Sequence, residues 1–490
     1  MPRVSKIPET MLLKFTYPIP RPCSLKGRSF IFLNRTNDFS NHIDWNFASY
    51  GKLWCYNLNY FDFLNQNEAV SADGLNLIHD FIDNTNPGSV GFEPYPVSLR
   101  IINWIKFISR HDIHDYAVDR SLYQQALLLA RNPEYHLLGN HLLENAFALL
   151  FAGRYFNDSA LEATARNILR EELMEQILPD GAHFELSPMY HQIILDRLLD
   201  CVNLLLNNGG DPLLQLLIDK SSAMLGWLRQ ITFRAGSIPL LNDAAEGIAP
   251  VSAELFEYAR RLDLAERTVP LKDSGYRKVS GNRFEMVMDV GNIGPDYIPG
   301  HAHSDTLSFV LYVDGVPLIV DTGTSTYETN ERRLLERQTA AHNTVAIDGL
   351  QQSEVWGSFR VAQRAYVSDL VELAGSISAA HTGYDRIGVR HRREFAWDEK
   401  AITITDTVES ARAHDNLAYL HFHSDVLVSY EDGAIYAGGV RISFIGATEV
   451  KIGDYLSAPK FNELVSAKLV TVKFHNKLTT TILLINNKPA

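Results

Sequence analysis

Residues 300–324, GHAHSDTLSFVLYVDGVPLIVDTGT, hold two apolar, β-branched runs that meet at Asp314–Gly315. An Asp-Gly pair between such runs is a strong hairpin signal, because both central residues of the tight turn need positive φ. The same period-two pattern recurs downstream, in HNTVAIDG, AITITDTVE, LVTVKFH and TTTILLINN, and just upstream in FEMVMDVG. From about residue 275 onward the chain therefore reads as an antiparallel β-sandwich of roughly 200 residues.

Upstream of about residue 270 the period changes to that of helices. PVSLRIINWIKFISR (96–110), SLYQQALLLARN (121–132), HLLENAFALLFAGRYF (141–156), LEATARNILREELMEQIL (161–178), MYHQIILDRLLDCVNLLLNN (189–208), DPLLQLLIDKSSAMLGWLRQI (211–231) and SAELFEYARRLDLA (252–265) follow one another with short connections. Many are apolar on more than one face, as helices are when they pack on both sides in a toroid of helical hairpins. The expected organisation is a segment 1–60 packed on the toroid, a toroid 61–270 and a β-sandwich 271–490, with a cleft between the helical and strand halves. A chain of 490 residues suits two large domains.

A net charge of -13 argues against a nucleic-acid partner and requires a locally basic cleft if the substrate is a polyanion. No apolar run is long enough to span a membrane. The N-terminus MPRVSKIPETMLLKFTYPIP lacks the apolar run and cleavage site of a secretory signal, which reads as cytoplasmic, or as periplasmic or secreted if a leader has been removed. Cys23, Cys55 and Cys201 are few and scattered, and read as buried free thiols.

Three polar constellations interrupt these apolar patterns. In GNHLLEN (139–145), Asn140 and Glu144 share a helix face, and His141 neighbours Glu144. The segment reads either as a helix cap made by Asn140 or as a site in which Glu144 orients His141. In DGAHFELSPMYHQ (180–192), Ser187–Pro188 is a cap and first-position pair that puts Tyr190 and His191 in the first helical turn. Tyr190 is either a packed aromatic or a general acid or base. The third is His301-Ala302-His303, whose alternation puts both rings on one side of an extended chain. With Asp321 and His342, His303 would give a nitrogen–oxygen–nitrogen set suited to Zn²⁺, leaving His301 for substrate. In-register pairing across Asp314–Gly315 puts Asp321 opposite Ser308, roughly 17 Å along a straight strand from His303, so residues 301–305 must curl back over the sheet for the set to close.

Taken together, NHLLEN, SPMYHQ, GHAHSDTLSFVLYVDGVPLIVDTGT and TAAHNTVAIDG resemble, in order and over about residues 95–400, the heparinase II/III-like polysaccharide lyases. That superfamily includes heparin and heparan sulfate lyases and oligoalginate lyases. The resemblance implies an incomplete (α/α) toroid followed by an antiparallel β-sandwich. It implies a mainly structural divalent metal, zinc, on His303, Asp321 and His342. It places Asn140, His141, Tyr190 and His301 on catalytic positions, with Glu144 supporting.

The implied reaction is β-elimination on a uronic-acid-containing glycan, of heparin/heparan sulfate or bacterial exopolysaccharide type, leaving a 4,5-unsaturated uronate. Asn140 and His141 neutralise the uronate carboxylate, and Tyr190 and His301 move the protons, with positive charge and the helix terminus lowering the phenol. Alginate is the alternative substrate. Tyr327, Arg332, Arg333 and Arg337 are available in the loop after Asp321 to select it. Two readings of other kinds are a glycoside hydrolase, using two of Glu144, Glu185, Asp243 and Glu246, and a non-catalytic glycan-binding protein.

Overall fold

The computed structural model describes residues 1–485 and divides the chain into two compact units. The first comprises Met1–Ile177, Gln192–Leu225 and Ala253–Arg267; the second comprises Leu178–His191, Gly226–Ser252 and Thr268–Ala490, of which 486–490 lie outside the described residues. The units thus depart from the expected chain order, because 178–191 and 226–252, read as toroid, pack with the second.

The first unit is helical. Lys52–Tyr60, Ser71–Asn84, Pro94–Arg110, Tyr116–Arg131, Gly139–Tyr155 and Ser159–Gln176 follow in sequence, then most of Pro188–Asn207, the start of Leu214–Ile231, and nearly all of Ser252–Arg261. Local chemistry starts two of them: Asp115 accepts from the amides of Ala117 and Val118, and Asp158 from those of Ala160 and Leu161. Gly139–Tyr155 is buried on nearly every face, as a helix packed on both sides must be. Residues 1–60 belong to this unit: Arg21 ion-pairs with Asp196 at 2.7 Å, and strands Leu25–Lys26, Ser29–Phe32 and Arg35–Asp38 form a small sheet.

The second unit is a sandwich of two antiparallel sheets. One has four strands, Tyr276–Ser280, Phe284–Asp289, Phe309–Val313 and Val316–Ile319, paired in that order. The other has ten. Val367–Leu373, Ser376–His381, Arg390–Trp397, Ala401–Glu409, Val465–Leu484, Val440–Ser457, Ala434–Ala437 and Val428–Glu431 follow in space, and Asn416–His421 bridges Val465–Leu484 to Val345–Ile347. Phe309, Leu311, Phe395, Ile404, Val470 and Val472 belong to the common apolar core. LVTVKFH and TTTILLINN, read as separate strands, are parts of the single strand Val465–Leu484; Asn486 and Asn487 of the second lie outside the described residues.

Asp314 and Gly315 have φ of 52° and 80°, the expected two-residue turn. The register beyond it is not regular. Val313 pairs with Val316 and Tyr312 with Pro317, then a bulge moves Leu311 opposite Ile319. Before the strand, a turn closes from the Ser308 amide to the Asp305 carbonyl at 2.9 Å, with Leu307 in the left-handed region at φ 62°. The chain ahead of residue 305 is thereby folded back, as the metal reading requires.

All three cysteines are free; Cys55 and Cys201 are buried as expected, but Cys23 is exposed. Among the described residues, no helix is long and apolar enough to cross a membrane.

Candidate active site

Within the second unit, the segment before Tyr190 is fixed by its polar groups. Asp180 accepts from the Ala182, Lys272 and Ser274 amides and from the Ser274 hydroxyl. The Leu186 carbonyl accepts from Tyr276 at 2.6 Å and from the Asn242 side chain at 3.0 Å. Ser187 donates to the Asp243 carbonyl at 2.7 Å and accepts from the Tyr190 amide at 3.3 Å, so Ser187 and Pro188 start the helix as expected.

Tyr190 lies beside His301, with ring centroids 4.0 Å apart. Its hydroxyl is 3.2 Å from that of Tyr327. Burial raises the Tyr190 phenol above its ordinary value, and the Tyr327 hydrogen bond offsets only part of that. This corrects the expectation that positive charge and the helix terminus lower it: Tyr190 is held protonated.

His301 is 15% exposed at its side chain, and its Nδ1 lies 2.9 Å from Asp243 Oδ2. Its Nε2 faces Glu185 at 3.7 Å. Asp243 is fully buried, and Arg333 donates to both its oxygens and to the Ser358 carbonyl. Burial opposes ionisation of Asp243, but Arg333 and the histidine hydrogen bonds hold it well below the usual carboxylate range. Asp243 is therefore no hydrolytic acid. The Arg333 guanidinium sits 5.0 Å over the Tyr327 ring and 5.4 Å from that of Phe359. Arg337 donates to the Ala302 carbonyl at 2.9 Å, and Arg332 to Glu336 at 2.7 Å. Gly323, at φ 79°, lets this wall close: a Cβ there would meet the Ala458 carbonyl oxygen at 2.1 Å.

His303, Asp321 and His342 come together, with one donor atom of each within 4.8 Å of the others, in a group able to hold a metal ion. His342 Nδ1 lies 2.7 Å from Asp321 Oδ2, and His303 Nε2 lies 2.9 Å from Asp243 Oδ1. His303 Nδ1 and His342 Nε2 are buried and, among the described residues, have no hydrogen-bond partner. Two orphaned imidazole nitrogens beside a carboxylate fit a cation.

In the first unit, the Gly139–Tyr155 helix opens without a side-chain cap, at Leu138 with φ 56° and ψ -150°. Asn140 is not the cap; it is buried in the first turn. His141 is 31% exposed, packs against Tyr95 with ring centroids 4.4 Å apart and planes tilted by 41°, and places Nδ1 3.1 Å from Glu134. Glu134 also accepts from Asn145 at 3.0 Å. Glu144 does not orient His141: it is fully buried and pairs with Arg197 at 3.3 Å, while the His141 ring is met by Glu134. Burial, partly offset by Arg197, pushes its carboxyl up to about 7. Sequence reasoning thus missed Glu134, and it read Asp243 only as a hydrolytic carboxylate.

Two family models match in tandem: "Heparinase II/III N-terminus" over residues 49–262 and "Heparinase II/III-like, C-terminal" over 264–483. A heparin-sulfate lyase of Bacteroides stercoris is 24% identical over 333 residues, covering 61% of this chain and 48% of that protein. One of Pedobacter heparinus is 28% identical over 264 residues, covering 46% and 38%. The chain thus aligns with half or less of these curated relatives. A heparinase III crystal structure superposes with a TM-score of 0.69 at 16% identity, covering 91% of this chain and 79% of that one. This shows a shared fold.

Proposed function

Because this chain belongs to the heparinase II/III-like family, we propose that it is a polysaccharide lyase that cleaves a heparan-sulfate-like, uronic-acid-containing glycan by β-elimination. The observation that carries the reading is the Tyr190–His301 pair, 4.0 Å apart, with His301 held from behind by Asp243. The names of the curated relatives support the substrate class.

In this reading His301 Nε2 takes the C5 proton. The electron pair moves into the C4–C5 bond as the C4–O4 bond breaks, and Tyr190, held protonated by burial, gives its proton to O4. Transfer from His301 back to Tyr190 resets both groups. Asn140, with His141 held by Glu134, is assigned on its motif to neutralise the substrate carboxylate, a contribution of about 3–4 kcal/mol for a well-placed donor. His303, Asp321 and His342 are assigned a divalent metal, zinc by donor type, which when bound ties three loops and takes no part in proton transfer.

The test is absorbance gain in the near ultraviolet on heparan sulfate, chondroitin sulfate and alginate, since elimination leaves a conjugated unsaturated uronate and hydrolysis does not. We expect gain on heparan sulfate, and loss of roughly 10²–10⁴-fold in kcat for Tyr190→Phe and for His301→Ala with folding intact. Gain on alginate alone would reassign the substrate. Near-normal turnover by both variants would refute the proton-transfer roles.

A further inference from the structure

We infer that Asp243 is a positioning residue whose single carboxylate fixes the tautomers of two histidines, in opposite senses. Its oxygens are divided between them: Oδ2 lies 2.9 Å from His301 Nδ1, and Oδ1 lies 2.9 Å from His303 Nε2. Arg333 donates to both oxygens and keeps the carboxylate anionic and oriented. An ionised carboxylate can only accept, so each ring nitrogen facing it carries the hydrogen. A neutral imidazole has only one N–H, and its lone pair is left on the far nitrogen.

At His301 that nitrogen is Nε2, on a side chain that remains partly exposed; Glu185 lies 3.7 Å from it, beyond hydrogen-bond distance, so only the 2.9 Å contact to Asp243 claims the hydrogen. At His303 it is Nδ1, which is buried and lacks any hydrogen-bond partner among the described residues. One acid therefore gives the proton-transfer histidine its acceptor and turns its neighbour's lone pair towards the Asp321–His342 group. The arrangement needs all four partners, and Asn330 caps the short helix Glu331–Arg337 that presents Arg333, its side chain accepting from the Arg333 amide at 2.8 Å. The first half of the inference rests on His301 being the group that accepts the proton; the tautomers themselves do not.

Long-range proton–nitrogen correlation spectra of the full chain labelled with ¹⁵N-histidine read the tautomers directly, with His301→Gln and His303→Gln assigning the signals. Expected are Nδ1–H at His301 and Nε2–H at His303. The opposite tautomer at either ring overturns the inference. Asp243→Asn is the second arm: an amide cannot accept on both sides, so kcat falls roughly 10²–10⁴-fold with KM within about threefold. Unchanged kcat in a folded Asp243→Asn protein also overturns it. If that variant does not fold, the spectra of the unsubstituted chain decide. If the chain cleaves no glycan, the lyase reading falls and the spectra still judge the tautomers.

Discussion

At Asp406 the sandwich interior holds a charge that no solvent reaches. Arg393, its direct cross-strand partner, grips it at 2.7 and 3.0 Å, and His391 donates from 2.8 Å, with His381 behind at 3.1 Å. Burial alone would raise this carboxyl, but Arg393 and His391 more than offset it and bring it down to about 2, against an ordinary 3.8. A depressed carboxyl stabilises the fold above pH 3.8, and that stabilisation is lost as pH falls towards 2, about 2 kcal/mol in all. Asp406→Asn removes that dependence and also strands Arg393, a penalty that does not vary over this range. Denaturant unfolding at pH 5 and pH 2 should show the gap between the two proteins narrowing by about 2 kcal/mol at the lower pH; a constant gap would mean that Asp406 is not the titrating group. Residue-level legibility follows range. Ser187 was readable because its partner, the Tyr190 amide, is three positions away. Glu134 was not, because helical spacing points His141 towards Glu144, while the loop before the helix brings Glu134 to the ring instead.

The strand elements were readable from period-two alternation, and the loops that make the site were not. His303 precedes Phe309–Val313, Asp321 follows Val316–Ile319, and His342 precedes Val345–Ile347, so the proposed metal joins three strand ends. A bulge and a left-handed Leu307 bring them together, and neither leaves a compositional mark. Arg393 secures the same region by donating to the Leu307 and Asn343 carbonyls at 2.8 and 2.6 Å. Elemental analysis should find about one equivalent of divalent metal in the purified protein and none in His342→Ala. A chelator should lower the melting temperature of the first and not of the second, since a ligand at a thousand times its Kd contributes about 4 kcal/mol. A metal-free protein with an unaltered melt would remove the metal from this account.

On the scale of the whole chain, the change of period near residue 270 is real, but it does not mark where the compact units divide. Helical periodicity reports local structure, and Leu214–Ile231 is one helix whose last turns, from Gly226, pack with the sandwich unit. Trp227 lies 6.2 Å from Tyr276, Phe233 stacks on Tyr312 at 3.8 Å, and Lys278 donates to the Thr232 carbonyl at 2.6 Å. Trp227, Leu228, Ile231, Phe233 and Leu241 are all buried. At about 2 kcal/mol each, exposing them costs on the order of 10 kcal/mol, as much as the net stability of a domain. A fragment ending at residue 270 keeps the helix-forming signals of the helical half and loses the partners of these side chains. It is therefore expected to retain helical circular dichroism but to self-associate and melt without cooperativity, whereas the full chain melts sharply. A monomeric fragment with a cooperative transition, by size exclusion and calorimetry, would mean that residues 178–191 and 226–252 are held by the helical unit after all.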